Sequence, residues 1–266
     1  MQAFICVQCG TQYPPSEAPP ARCPICEDVR QYVRWEGQAW TALDELARTH
    51  PVHWEEDHGL WGIGSKPAFA IGQRALLVRT PRANVLWDCS APLDDATVER
   101  IKAMGGVTAI AISHCHYYTT MVEWAERLDA PILLHEANRD WVMRRHPSIT
   151  WWAGESCAIA EGLTLYRCPG HFDGGTILHW AEGPDGKGAL LAGDILQVTQ
   201  DRRHVSVMFS YPNLIPVNAA TIRSVEAIVA PLAFDRVYGA WWGRNIIGNA
   251  KDAVAASFDR YLAAIA

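Results

Sequence analysis

The sequence predicts an α/β fold of layered sheets and helices, preceded by a small unit built around four cysteines. Three observations lead there. Two CxxC pairs, Cys6 with Cys9 and Cys23 with Cys26, open the chain. Between residues 94 and 145, apolar patterns of helix and strand period alternate, the succession of a layered α/β unit. From Ile149 to Leu191, short apolar runs follow one another between turn residues, as in consecutive strands.

The cysteine unit comes first. A CxxC turn holds two thiolates on one knuckle, and Gly10 after the second cysteine permits a left-handed backbone. Two facing knuckles supply four sulfurs in a tetrahedron, a geometry that zinc and iron both accept. Pro14, Pro15, Pro19 and Pro20 make the intervening loop stiff rather than helical. So little apolar mass lies in residues 1–36 that metal is expected to organise them. This segment resembles the rubredoxin-like zinc ribbons, on Phe4-Ile5-Cys6 through Gly10 and Cys23-Pro24-Ile25-Cys26. The loop between its knuckles is shorter than in rubredoxin, and Glu27 stands where rubredoxin usually has glycine. Both departures favour zinc over an electron-transfer iron. The expected domains are residues 1–36, the ribbon, and residues 37–266.

With 266 residues, 49% of them hydrophobic and 20% charged, the chain has material for a sizeable core. No secretory signal is recognisable at the N-terminus, and no run of about 18 apolar residues occurs, so a cytoplasmic protein without a membrane partner is expected. A net charge of -6 without a Lys/Arg stripe argues against a nucleic-acid partner. Oligomerisation is left open. Cys89, Cys115, Cys157 and Cys168 are scattered among apolar segments and read as small hydrophobes.

Further along, Thr41 is placed to cap a helix over residues 42–50, with Asp44 completing a capping box. His50, His53 and His58 read as polar loop residues within a stretch rich in tryptophan. Strands are expected at 67–71, 74–79, 84–87, 107–113 and 131–135. Helices are expected at 94–104, 119–128 and 137–145. Later strands fall at 151–152, 158–159, 163–168, 176–181, 189–192, 205–209 and 236–238, with helices at 218–228 and 252–264.

The chemistry-bearing residues sit where these strands end. His114 and His116 follow a buried strand; if extended backbone continues, a spacing of two puts both imidazoles on one face. His171 lies in the glycine-rich turn Pro169-Gly170-His171-Phe172-Asp173-Gly174-Gly175, and Asp194 follows the apolar strand 189–192. Three histidines and a carboxylate at strand-to-loop junctions can compose a metal site.

These segments resemble the metallo-β-lactamase-fold superfamily over residues 66–245. The matching pieces are Leu86-Trp87-Asp88, Ser113-His114-Cys115-His116, Pro169-Gly170-His171 and Leu191-Ala192-Gly193-Asp194. The resemblance implies a four-layer αββα sandwich and one or two metal ions at its edge. It also implies hydrolysis of thioesters, lactones, phosphodiesters or β-lactams. It makes His114, His116 and His171 ligands of the first metal, and Asp194 the residue that bridges to a second. The family's HxHxDH run reads here His114-Cys115-His116-Tyr117-Tyr118-Thr119, and residues 239–243 lack the family's late histidine. All three missing groups are ligands of the second metal, so the expectation is a single sandwich metal.

That metal is expected to be zinc, with iron or manganese able to use the same ligands; a second zinc belongs to the ribbon. Asp194 is either a fourth ligand or the acceptor of a proton from the metal's water. Tyr118 fills the vacated second site or donates a hydrogen bond to an oxyanion; with a reference pKa of about 10 it is no base. Tyr211 and Asn213, by their place after Asp194, and Arg244, by its charge, are candidate pocket residues. The expected activity is hydrolysis of a small ester, thioester, lactone or phosphoester on a small-molecule substrate. The alternative is a non-catalytic, metal-stabilised binding protein on the same fold. A redox reading, after flavin-dependent di-iron relatives with a rubredoxin unit, needs a second iron and a flavin domain.

Overall fold

A computed structural model describes residues 1–266 and divides them into two compact units, residues 1–134 with 138–151 and residues 135–137 with 152–266. The expected α/β class holds.

The first unit opens on the ribbon: β1 (Ile5–Cys6), the short helix α1 (Pro24–Glu27) and β2 (Trp40–Thr41). β1 pairs antiparallel with β2, Ile5 opposite Thr41. Thr41 therefore does not cap the next helix. Pairing with the ribbon strand outweighs local capping, and α2 (Leu43–Thr49) begins from Ala42 with no side-chain cap. A seven-stranded sheet follows, in the order β3 (Val52–Asp57), β4 (Leu60–Ser65), β5 (Ala75–Arg79), β6 (Asn84–Trp87), β7 (Ala109–Ala111), β8 (Ile132–His135) and β9 (Ile149–Trp152). β3 to β6 run antiparallel; β6, β7 and β8 run parallel, joined through α3 (Asp95–Ala103) and α4 (Met121–Leu128). Asp94 caps α3 by accepting from the Thr97 amide at 2.7 Å.

Three further expectations fail in this unit. The polar stretch carrying His53 and His58 is the β3–β4 hairpin, closed at His58-Gly59 with φ of 53° and 95°. Residues 67–71 form no strand, because Ala70 and Gly72 turn the chain through positive φ. Residues 137–145 form only a 3-10 turn over Glu136–Trp141.

The second unit is a six-stranded sheet in the order β10 (Ser156–Ala160), β11 (Leu163–Arg167), β12 (Thr176–Trp180), β13 (Ala189–Gly193), then, out of chain order, the pair near the C-terminus. Two small ribbons leave β13: β14 (Gln197–Val198) with β15 (Val205–Ser206), and β16 (Met208–Ser210) with β17 (Ile215–Pro216). The expected single strand at 205–209 is thus two short ones. After α5 (Ala219–Val229) come β18 (Arg236–Gly239), parallel to β13, and β19 (Asn245–Ile247); α6 (Ala250–Ala264) closes the chain. Both helices contribute to one core with the sheet, Ile222 and Val225 from α5, Val254 and Phe258 from α6, against Leu190, Ala192 and Val237. Each such buried Val, Leu, Ile or Phe side chain contributes about 1.5–3 kcal/mol by leaving water. No helix is long and apolar enough to cross a membrane.

Candidate metal centres

The first knuckle closes by hydrogen bonds from Gly10 N to Cys6 O (2.8 Å) and from Cys6 N to Thr11 O (2.9 Å), with Gly10 at φ +80°. A side chain there would be strained and would crowd the Thr119 methyl at 3.3 Å. The second closes from Cys26 N and Glu27 N to Cys23 O, both 3.0 Å. All four thiols are buried and none is paired in a disulfide. The Cys6–Cys26 and Cys9–Cys23 sulfurs lie 3.6 Å apart. A zinc tetrahedron with bonds of about 2.3 Å has sulfur–sulfur edges of about 3.8 Å, so the donor set fits a four-coordinate ion. The Tyr13 hydroxyl donates to Cys23 Sγ at 3.1 Å, and Gln38 Nε2 donates to Cys6 Sγ at 3.2 Å. Hydrogen bonds from Cys23 and Cys26 hold the Cys6 thiol below its ordinary range, while burial drives Cys9 up. Four buried sulfurs without a cation therefore cannot all be thiolates. The scattered cysteines differ: burial pushes Cys89 well above the thiol range and Cys168 up to about 12, which leaves them inert.

The histidine centre is built from separate pieces. β7 ends at Ala111, and Asp88, at the end of β6, takes hold of the exit: its Oδ1 accepts from Ser113 N at 2.7 Å. His114 is fully extended, but Cys115–Tyr117 is a 3-10 turn. The two imidazoles are therefore not brought together by a continuing strand. The turn does it, leaving their rings 4.9 Å apart at 66°. Tyr117 stacks edge-on against His114 at 5.0 Å, and Ser113 Oγ lies 3.2 Å from His114 Nδ1.

His171 sits in the turn after β11. Cys168 N donates to Gly175 O at 2.6 Å, and a Cβ on Gly175 would meet Cys168 O and Ile195 Cδ1 at 2.8 Å, so this close approach needs glycine. His171 Nδ1 faces the Phe209 and Met208 carbonyls at 2.8 and 3.1 Å. Carbonyls only accept, so Nδ1 carries the proton and Nε2 keeps its lone pair, the form that binds a metal. Asp194 follows β13, with Oδ2 4.0 Å from His171 Nε2. The donor atoms of His114, His116, His171 and Asp194 all lie within 4.8 Å of one another, and all four residues are at most 3% exposed. A buried carboxylate among imidazoles is the chemistry of a cation site.

Of the remaining candidates, Tyr118 and Thr119 are buried beside this segment. Burial drives the Tyr118 hydroxyl well above its usual range, with Cys115 adding to the shift. Tyr211 turns its hydroxyl to the Asp194 carbonyl (2.7 Å) and the Ser206 carbonyl (2.9 Å), and its ring stands 5.5 Å from that of His171. Tyr211 and Arg244 line one cleft of about 280 Å³, together with Gln197, Ser206 and Met208. Arg244 Nη1 donates to Val198 O at 3.2 Å. Asn213 is exposed and lies outside that lining. Trp241 and Trp242, which stand where the family's late histidine would fall, are half-buried. Asp88, Tyr13 and Gln38 had no assigned role in the sequence. Only Asp88 carried a signal, an acid at a strand end.

No family model matches the chain. YmaE of Bacillus subtilis (strain 168), described as an uncharacterized protein, is 46% identical over 269 residues, which span 100% of this chain and 97% of YmaE. Among solved structures, metallo-β-lactamase SMB-1 in complex with mercaptoacetic acid is similar at TM-score 0.52 and 20% identity, over 78% of this chain and 93% of that one. Metallo-β-lactamase DIM-1 is similar at TM-score 0.54 and 10% identity, over 80% and 95%. A B3 metallo-β-lactamase with an active-site glutamic acid is similar at TM-score 0.52 and 17% identity, over 78% and 87%. Their fold is the one expected from the sequence.

Proposed function

Because the chain belongs to the same family as YmaE and carries the metallo-β-lactamase fold, we propose that it is a hydrolase working with one metal ion, zinc, in the histidine centre, and with a structural zinc in the ribbon. The observation that carries this reading is the buried group of three imidazoles and one carboxylate. A divalent cation there lowers the pKa of a water ligand and polarises a carbonyl or phosphoryl oxygen.

The chain's own residues divide the work. His114, His116 and His171 are the ligands, and the carbonyls of Met208 and Phe209 fix the His171 tautomer. Asp194 Oδ2 lies 4.0 Å from His171 Nε2, close enough for its carboxylate to accept a proton from a water held at the three histidines. Tyr211 is a positioning residue, since its hydroxyl is engaged by the Asp194 backbone. Arg244, in the same cleft and facing no acidic lining residue, offers a seat for an anionic group on a small ester, thioester, lactone or phosphoester. Tyr118 fills the space of a second metal.

The test is a panel of chromogenic esters, thioesters, lactones and phosphodiesters with the zinc-replete protein. Hydrolysis is expected on at least one class, abolished by chelation and restored by zinc. Tyr118→Phe in the same assay should keep its metal and lie within about threefold of the parent, because packing rather than proton transfer is its role. A hundredfold fall at unchanged metal content would give the hydroxyl a chemical part. Full occupancy by zinc with no turnover on any class would make the metal-stabilised binding protein the better reading.

A further inference from the structure

The ribbon does not stand by itself. Ile5, from β1, shares a buried cluster with Leu46, Phe69 and Ala91, which belong to the rest of the first unit. Its most specific contact, however, is with the segment that follows the two histidines. Gln12 N donates to the Thr119 carbonyl at 3.1 Å, and Gly10 is packed against the Thr119 methyl. The Gln12 side chain continues the clamp: Nε2 donates to Glu123 on α4 at 3.1 Å, and Arg144 donates to both Gln12 and Glu123.

Thr119 is an unusual place to be held. Its φ of +36° is positive in a β-branched residue, a conformation that persists only where its surroundings impose it. On one side Thr120 Oγ1 donates to Ala91 O at 2.8 Å; on the other stands the ribbon. Two residues, Tyr117 and Tyr118, separate Thr119 from His116; they are the end and the C-cap of the 3-10 turn that sets the His114–His116 geometry. The knuckle that grips Thr119 is itself closed by Cys6 and Cys9.

We infer that the ribbon is the positioning device of the histidine centre: its metal organises the Cys6–Gln12 knuckle, which through Gly10 and Gln12 fixes Thr119 and hence His114 and His116, so that the two metals bind cooperatively. This rests on the histidine centre being a metal site. Coupling of this kind is reciprocal, so each metal raises the other's affinity by the same factor, commonly about 5–150-fold.

The experiment titrates metal-free, full-length protein with Co²⁺. Cobalt on four thiolates gives strong near-ultraviolet charge-transfer bands, and cobalt on nitrogen and oxygen gives only weak visible bands, so each site reports separately. Cys23→Ser is expected to lower cobalt affinity at the histidine centre at least fivefold. His116→Ala, with every cysteine intact, should lower ribbon affinity by the same factor, and it decides the matter should Cys23→Ser fail to fold. Gln12→Pro deletes the N–H aimed at Thr119 and keeps all ligands; it should retain the thiolate bands while weakening the histidine centre. Affinities that stay within twofold of the parent in His116→Ala and in Gln12→Pro would overturn the coupling while leaving the hydrolase reading intact. Thiolate bands alone in the parent protein, at any cobalt concentration, would overturn both.

Discussion

Replacing His116 with alanine is expected to lower the zinc content of saturated protein from two ions per chain to one and to abolish hydrolysis. The ribbon ion remains at saturating metal, since all four of its sulfurs are untouched. The large effect has a simple cause. His114 and His171 alone leave a two-imidazole site, and a site with too few ligands loses both the ion and the activated water. The measurement is metal analysis by plasma spectrometry beside the turnover assay. An unchanged two ions per chain would show that His116 is not a ligand, whatever happened to the rate.

Changing Asp194 to asparagine separates the two roles open to that residue. The amide keeps the shape and loses the ability to accept a proton at neutral pH. The account expects two zinc ions per chain still, with kcat reduced by about 10²–10⁴, the usual contribution of a positioned general base. KM should move little, because Asp194 acts on water rather than on substrate. A fall to one ion per chain would instead make Asp194 a permanent ligand. The Tyr211 hydroxyl holds the backbone of Asp194, not its carboxylate, so the substitution leaves that anchor in place.

The cysteine ribbon was fully legible because CxxC is a local geometry: two residues between the thiols already determine the knuckle. The members of the histidine centre were legible only as a set: each stands near a strand end, and the resemblance to the metallo-β-lactamase fold tied them together. How His114 and His116 meet was not legible. Strand spacing suggested one face, whereas the chain winds into a 3-10 turn held by Asp88, which lies 25 residues earlier than Ser113. The β3–β4 hairpin escaped detection because β3 pairs only with β4 and carries exposed Glu55 and Glu56, while its partner holds Gly62 and Gly64 where side chains would have shown alternation. Thr41 looked like a cap because capping is a local signal, and its pairing with Ile5 across the ribbon is not. The clamp of Gln12 on Thr119 joins residues that no spacing rule relates.

In the proposed reading the histidine centre holds one metal ion, beside a second ion in the ribbon. Anomalous scattering at the zinc edge, from crystals of zinc-replete protein, tests it most directly. The account requires two peaks per chain, one among Cys6, Cys9, Cys23 and Cys26, and one touching His114, His116 and His171. A third peak, beside Tyr118 and Thr119, or a histidine centre with no peak at full zinc occupancy of the ribbon, would contradict it.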